Sequence, residues 1–121
     1  MFKLKGIIIL AILATLLSCQ NKKITDPVPV NVSFSTDIMP VFNQSCNAAG
    51  CHAPGYSAPD LTSPNAYADL LKYNLIDTLT PENSVLYKRM VDSEQPMPPA
   101  GVLTYEASMV LVWIQEGAKD N

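Results

Sequence analysis

The sequence predicts a small all-α domain. Proline follows a Ser or Thr cap at Ser63-Pro64 and Thr80-Pro81, apolar residues recur at spacings of three and four, and no two alternating segments pair convincingly as strands. A final apolar stretch ends at Gly117, where a helix can stop on a left-handed residue.

Four helices are expected. The first runs from Asp37 to Cys46, capped by Thr36 or Asp37, with Pro40 in its first turn and Ile38, Val41 and Phe42 on its apolar face. The second runs from Pro64 to Tyr73 behind the Ser63 cap and turns Ala66, Leu70 and Leu71 inward. The third follows Thr80, opens with Pro81 and Glu82, and reaches Val91, presenting Val85, Leu86 and Met90. The fourth starts at the Thr104 cap. Its apolar positions Met109, Val110, Val112, Trp113 and Ile114 cover more than one narrow stripe, so it must dock in the core. Segments 55–63 and 93–103 read as irregular connections.

Ahead of these helices, Lys3 and Lys5 precede an apolar run from Gly6 to Leu17, too short to span a bilayer comfortably and suited to a signal-peptide core. The run ends in Leu16-Leu17-Ser18-Cys19, which resembles the cleavage and lipidation box of bacterial lipoproteins. That resemblance implies that residues 1–18 are removed and that Cys19 is lipid-modified. The protein is then held to a membrane through lipid alone. Residues 19–33, with two prolines and no helical stripe, read as the lipidated cysteine and a flexible tether, leaving 34–121 as the folded domain.

Without residues 1–18, six Lys and Arg face eleven Asp and Glu, a net charge of −5, which argues against nucleic acid as a partner. A domain of about a hundred residues has a limited core, and a disulfide, metal or cofactor would help to hold it together. Outside the cytoplasm an unmodified free thiol is unusual, and with Cys19 assigned to lipid one pair is left, Cys46 and Cys51.

That pair lies in CNAAGCH, residues 46–52, and His52 is the only histidine in the chain. Covalent haem attachment needs two thiols placed to meet two vinyl groups, followed by a histidine that reaches the iron. The usual form is C-x-x-C-H; the form here, C-x4-C-H, is a less common variant whose spacer, Asn47-Ala48-Ala49-Gly50, is small enough to bulge. A disulfide is the main alternative, although it gives His52 no task. Zinc would lack further His or Cys ligands, and adjacent Cys and His rarely have the geometry of a nucleophile and its base. Among the methionines, Met39, Met90 and Met109 sit in expected helices as core filler. Met97 lies in PMPPAG, where Pro96, Pro98 and Pro99 stiffen a loop that could present a thioether to iron; on these residues alone a proline-rich surface turn with an incidental Met is the favoured reading.

In order, FSTDIMPVFNQSCNAAGCH, PENSVLYKRM, MPPAG and LTYEASMVLVWIQEGA make the segment from Phe34 to Ala118 resemble the small cytochrome c domains of exported bacterial proteins. The resemblance implies a class I cytochrome c-like fold around one covalent haem c, with the first and last helices crossing near its edge. Cys46 and Cys51 would carry the thioethers, His52 would be the proximal iron ligand and Met97 the distal one. Phe42 and Trp113 would pack the helix crossing, and Tyr87 and Arg89 would approach the haem propionates.

The expected function is one-electron transfer by a carrier and not an enzyme. Its partners would be redox proteins with a basic docking surface, and its place the periplasmic side of a membrane, with the outer membrane preferred. Two other readings stay open: a haem domain that senses a small ligand, and a cofactor-free surface lipoprotein with a Cys46–Cys51 disulfide.

Overall fold

The computed structural model describes residues 27–121. The expected signal peptide, Cys19 and the beginning of the tether lie outside the described residues. Within them all regular structure is helical, as expected: α1 (Met39–Ser45), α2 (Ala66–Lys72), α3 (Val85–Val91) and α4 (Thr104–Gln115). A π-helical turn, Phe34–Ile38, runs into α1, and a 3-10 turn, Pro81–Asn83, precedes α3.

The first helical run begins three residues earlier than its sequence suggests, because the cap is Ser33. The Ser33 hydroxyl accepts from the Thr36 amide (3.4 Å) while the Asp37 carboxylate reaches back to the Ser33 amide (2.8 Å). This reciprocal arrangement satisfies donors that a helix start otherwise leaves unpaired. The wide turn sits directly ahead of Pro40, which has no N–H to give and whose ring crowds the carbonyl four residues back.

The tether also ends earlier than expected. The Asn31 and Val32 amides both donate to the Glu116 carboxylate, at 2.7 and 2.8 Å, and Val32 is buried. The Ser33 and Ser35 hydroxyls and the Ser35 amide donate to the Asn121 carbonyl, and the Phe34 amide to its side-chain oxygen. Residues 31–33 therefore belong to the folded domain, clamped to the segment after α4. Isolated valines between prolines carry no sign of this, because the partners are some 85 positions away in the chain.

α2 starts at Ala66, two residues later than expected. The Thr62 carbonyl accepts from the Asn65 and Ala66 amides, and Asp60 organises the approach by accepting from the Thr62 amide and hydroxyl and from the Asn65 side chain. These bonds hold the Asp60 carboxyl below its ordinary range. Ala66 and Leu70 point inward as expected, whereas Leu71 is 49 % exposed. A helix of seven residues buries only a narrow stripe, and Leu71 lies beyond it.

The single helix expected over 81–91 is two pieces. Ser84, extended at φ −53° and ψ 130°, breaks it, and its hydroxyl takes the Asp77 amide (2.8 Å) and faces the Asp77 carbonyl (3.2 Å). This buried staple ties the 75–80 loop to the start of α3. The backbone bends at Ser84 because the side chain competes with helical pairing.

α4 ends as its glycine predicts. Gly117, at φ +99°, donates to the Ile114 carbonyl and the Ala118 amide donates to the Trp113 carbonyl, the pairing of a Schellman stop. Thr104 is the first helical residue and not a side-chain cap. Met109, Val110, Trp113 and Ile114 are buried and Val112 is half-buried, so this helix is the central element of the core.

α4 packs against the π-turn and against α3. Phe34 joins elements far apart in the chain: its ring lies 5.2 Å from Trp113, 5.3 Å from Tyr67 and 6.2 Å from Phe42. Phe42 and Trp113 thus share a packed junction, but through Phe34, which the sequence pattern had not singled out. The edge-on pairs add about 1 kcal/mol each to the burial of their rings. The Trp113 indole donates to the Lys119 carbonyl at 2.9 Å, so its burial leaves no polar atom unpaired.

Candidate functional site

α1 ends in the CNAAGCH segment. The Cys46 and Asn47 amides close on the Phe42 carbonyl, and the chain then turns so that the Cys51 amide reaches the Ala48 carbonyl (2.9 Å). Gly50 takes φ +87°, which the small residue allows at no steric cost. The His52 amide returns to the Cys46 carbonyl at 3.1 Å. The four-residue spacer is thus folded into a compact turn, and the second cysteine and the histidine come back to the end of α1.

His52 is fixed from several sides. Its carbonyl accepts from the Leu61 amide (2.8 Å), and its ring Nδ1 lies 3.1 Å from the Pro59 carbonyl. A carbonyl can only accept, so Nδ1 carries the proton and donates. In the neutral ring the other nitrogen, Nε2, then keeps its lone pair. A histidine whose Nδ1–H is held by a backbone carbonyl has the tautomer and the orientation that metal-binding histidines show. The Asn47 side chain adds a brace, donating to the Leu61 carbonyl (3.0 Å) and to the Asn43 side chain (2.8 Å).

Two adjoining clefts open beside this segment. The larger, about 310 Å³, is walled by Phe42, Leu61, Leu75, Leu86 and Met90, with Cys46, His52 and Met97 also on its wall. The smaller, about 180 Å³, is lined by Cys46, Cys51, His52 and the Met97-Pro98-Pro99 run. The 96–101 loop is therefore brought from far along the chain to the same surface as the two thiols and the imidazole. One backbone bond holds it there, from the Met97 amide to the Arg89 carbonyl at 2.8 Å.

The four residues singled out in the sequence thus share one region. Met39, Met90 and Met109 are buried, as expected for core filler, whereas Met97 is 37 % exposed. Met90 additionally walls the larger cleft. Val85, expected to face inward, is exposed and is among the residues lining that cleft. Arg89 lines it too; Tyr87 does not. Pro59, Leu61 and Leu75 were missed as site residues because they lie in loops, where no periodicity marks an inward face.

Both thiols are free, Cys46 half-buried and Cys51 exposed. Burial first, and the neighbouring Cys51 second, push the Cys46 thiol from 9.0 up to about 11. It is protonated at neutral pH, which is the wrong state for a nucleophile or a thiolate ligand. Among the described residues no group of three or more His, Cys, Asp or Glu is gathered as metal ligands. Family models, curated proteins and solved structures were all compared with the chain, and none matches.

Proposed function

We propose that the domain is a c-type cytochrome domain that carries single electrons. The supporting observation is that Cys46, Cys51, His52 and Met97 line two adjoining clefts whose other walls are largely apolar. These residues fit the group. Two thiols suit thioether attachment, Nε2 of His52 is left free by the Nδ1 bond, and Met97 adds a second, soft donor on the same surface. The clefts together have the size and apolar lining typical of cofactor sites.

When bound, haem supplies a one-electron Fe(III)/Fe(II) couple, and a His/Met ligand pair favours a relatively high potential. The chain's own tasks are to hold the ring, to fix His52 through Pro59 and Leu61, and to keep bulk water from most of the cleft. Outside the described residues, Cys19 is the proposed lipid anchor. Among the described residues no helix is long and apolar enough to cross a membrane. The acidic chain suits a redox partner with a basic docking surface, approached under electrostatic steering and released readily.

The test is the reduced pyridine haemochrome spectrum of protein matured in a host with c-haem machinery and extracted with acid acetone. A retained c-type spectrum is expected, lost on Cys46→Ala/Cys51→Ala. A colourless product, with a control cytochrome matured alongside, refutes the proposal and favours the disulfide lipoprotein.

A further inference from the structure

The peptide unit between Pro59 and Asp60 is held at both of its polar atoms. Its carbonyl oxygen, on Pro59, takes the His52 Nδ1 proton at 3.1 Å, and its N–H, on Asp60, donates to the Asp69 carboxylate at 2.7 Å. The unit is trans and planar, so its C=O and N–H point opposite ways, and the imidazole and the carboxylate lie on either side of one rigid dipole. The two bonds reinforce each other. A carboxylate on the N–H draws electron density toward the carbonyl oxygen, which then accepts the imidazole proton more strongly.

α2 supplies Asp69, whose side chain is half-buried and, among the described residues, paired with no cation. The nearby Asp60 carboxylate is engaged elsewhere, with Thr62 and Asn65. One residue further on, the Leu61 amide donates to the His52 carbonyl (2.8 Å) and the Leu61 carbonyl accepts from the Asn47 side chain (3.0 Å), so the strand that carries the relay cannot swing away from the ring. The result is the carboxylate–histidine pairing of metal sites with a peptide interposed.

We infer that Asp69 is a positioning residue for His52: acting through the Pro59–Asp60 peptide, its carboxylate fixes the imidazole and makes Nε2 a stronger donor. This rests on the haem reading for the partner of Nε2, which is then iron. A stronger imidazole donor favours Fe(III) over Fe(II).

Asp69→Asn keeps an acceptor oxygen for the Asp60 amide and removes the charge; Asp69→Ala removes both. In the haem-loaded full chain at a fixed poise, the reduced-to-oxidised ratio of Asp69→Asn should rise about threefold, less than the tenfold or more that loss of a direct outer partner causes, and Asp69→Ala should go further. In the Fe(II) protein the His52 Nδ1 proton resonance should move upfield, and its exchange with solvent quicken, in the same order. Loss of any neighbouring negative charge raises the ratio to some extent, so Asp60→Asn is the control: it removes a charge from the same loop, outside the relay, and should leave the Nδ1 proton where it is. An Nδ1 proton unmoved in both Asp69 variants overturns the inference, as does an equal displacement in Asp60→Asn, which marks a general disturbance of the loop. If the wild-type chain carries no covalent haem, the haem reading falls and the ring tautomer of the haem-free full chain, read by nitrogen NMR on the neutral ring, decides the inference by itself. Nδ1–H favoured in the wild type and reduced about fivefold in Asp69→Ala, the worth of one neutral hydrogen bond, supports it; the same tautomer ratio in both overturns it.

Discussion

Glu116→Gln tests whether the lead-in to the domain is tether or structure. The native carboxylate accepts two backbone amides, Asn31 at 2.7 Å and Val32 at 2.8 Å, both as charge-assisted bonds. Glutamine keeps the shape but has one acceptor oxygen; its NH2 group must face the other amide, donor against donor. One bond is lost and one becomes neutral, a cost of about 2 kcal/mol. Detachment of the segment sets a ceiling of similar size, since it exposes the Val32 side chain, worth roughly 1.5–2 kcal/mol. For a domain of this size the midpoint of thermal unfolding should fall by about 8–16 °C. Limited proteolysis within residues 27–33 should become faster, and Glu82→Gln, on an exposed carboxylate, serves as the charge control. A Glu116→Gln protein with wild-type melting and wild-type cleavage refutes the clamp and returns residues 31–33 to the tether.

Two further outcomes follow from the site. In the haem-free chain the Cys46 thiol titrates at about 11 when folded against 9.0 unfolded, so above pH 9 the unfolded state has released a proton that the folded state keeps. That stabilisation is complete below pH 9 and is lost as pH rises to about 11, by about 1–2 kcal/mol for a half-buried group. Denaturant midpoints across that range should show the slope, and Cys46→Ala should remove it. Met97→Ala, in the loaded protein, should retain covalent haem, bind carbon monoxide readily and shift the potential downward; an unchanged absorption spectrum removes Met97 from the ligand role and favours the ligand-sensing reading.

The helical character of the chain was legible because it is written locally. Pro81 opens its turn, Gly117 sits where a left-handed residue is needed, and the i, i+3 and i, i+4 spacings of α1 and α4 place Phe42, Val110, Trp113 and Ile114 in the core. What was not legible depends on partners distant in sequence. The true cap at Ser33 lies outside the apolar pattern. The Ser84 break needs Asp77 to be opposite it, and Val32 is fixed by its amide bond to Glu116 and by packing into the core. The candidate site divides along the same line. Cys46, Cys51 and His52 were singled out by chemistry and spacing and Met97 with the help of the resemblance, and the four share one surface, whereas Pro59 meets His52 through a backbone carbonyl that no sequence pattern distinguishes.

The site is held unequally on its two sides, and this bears on how it would fail. On the His52 side the turn is over-determined: the amide of His52 is bound to Cys46, its carbonyl to Leu61, its ring to Pro59, and Asn47 braces the crossing. On the opposite side the Met97 loop is tied to α3 by one bond, from its amide to the Arg89 carbonyl, and the Met97 side chain is 37 % exposed. Prolines at 96, 98 and 99 compensate by reducing the freedom that the loop must lose to stay in place. Stiffness therefore shares with partial packing the task of holding Met97. On the proposed haem reading, a ligand held that way would leave iron without disturbing the core around Phe34 and Trp113, so electron carriage and small-ligand binding would differ on this scaffold by the strength of a single iron–sulfur contact.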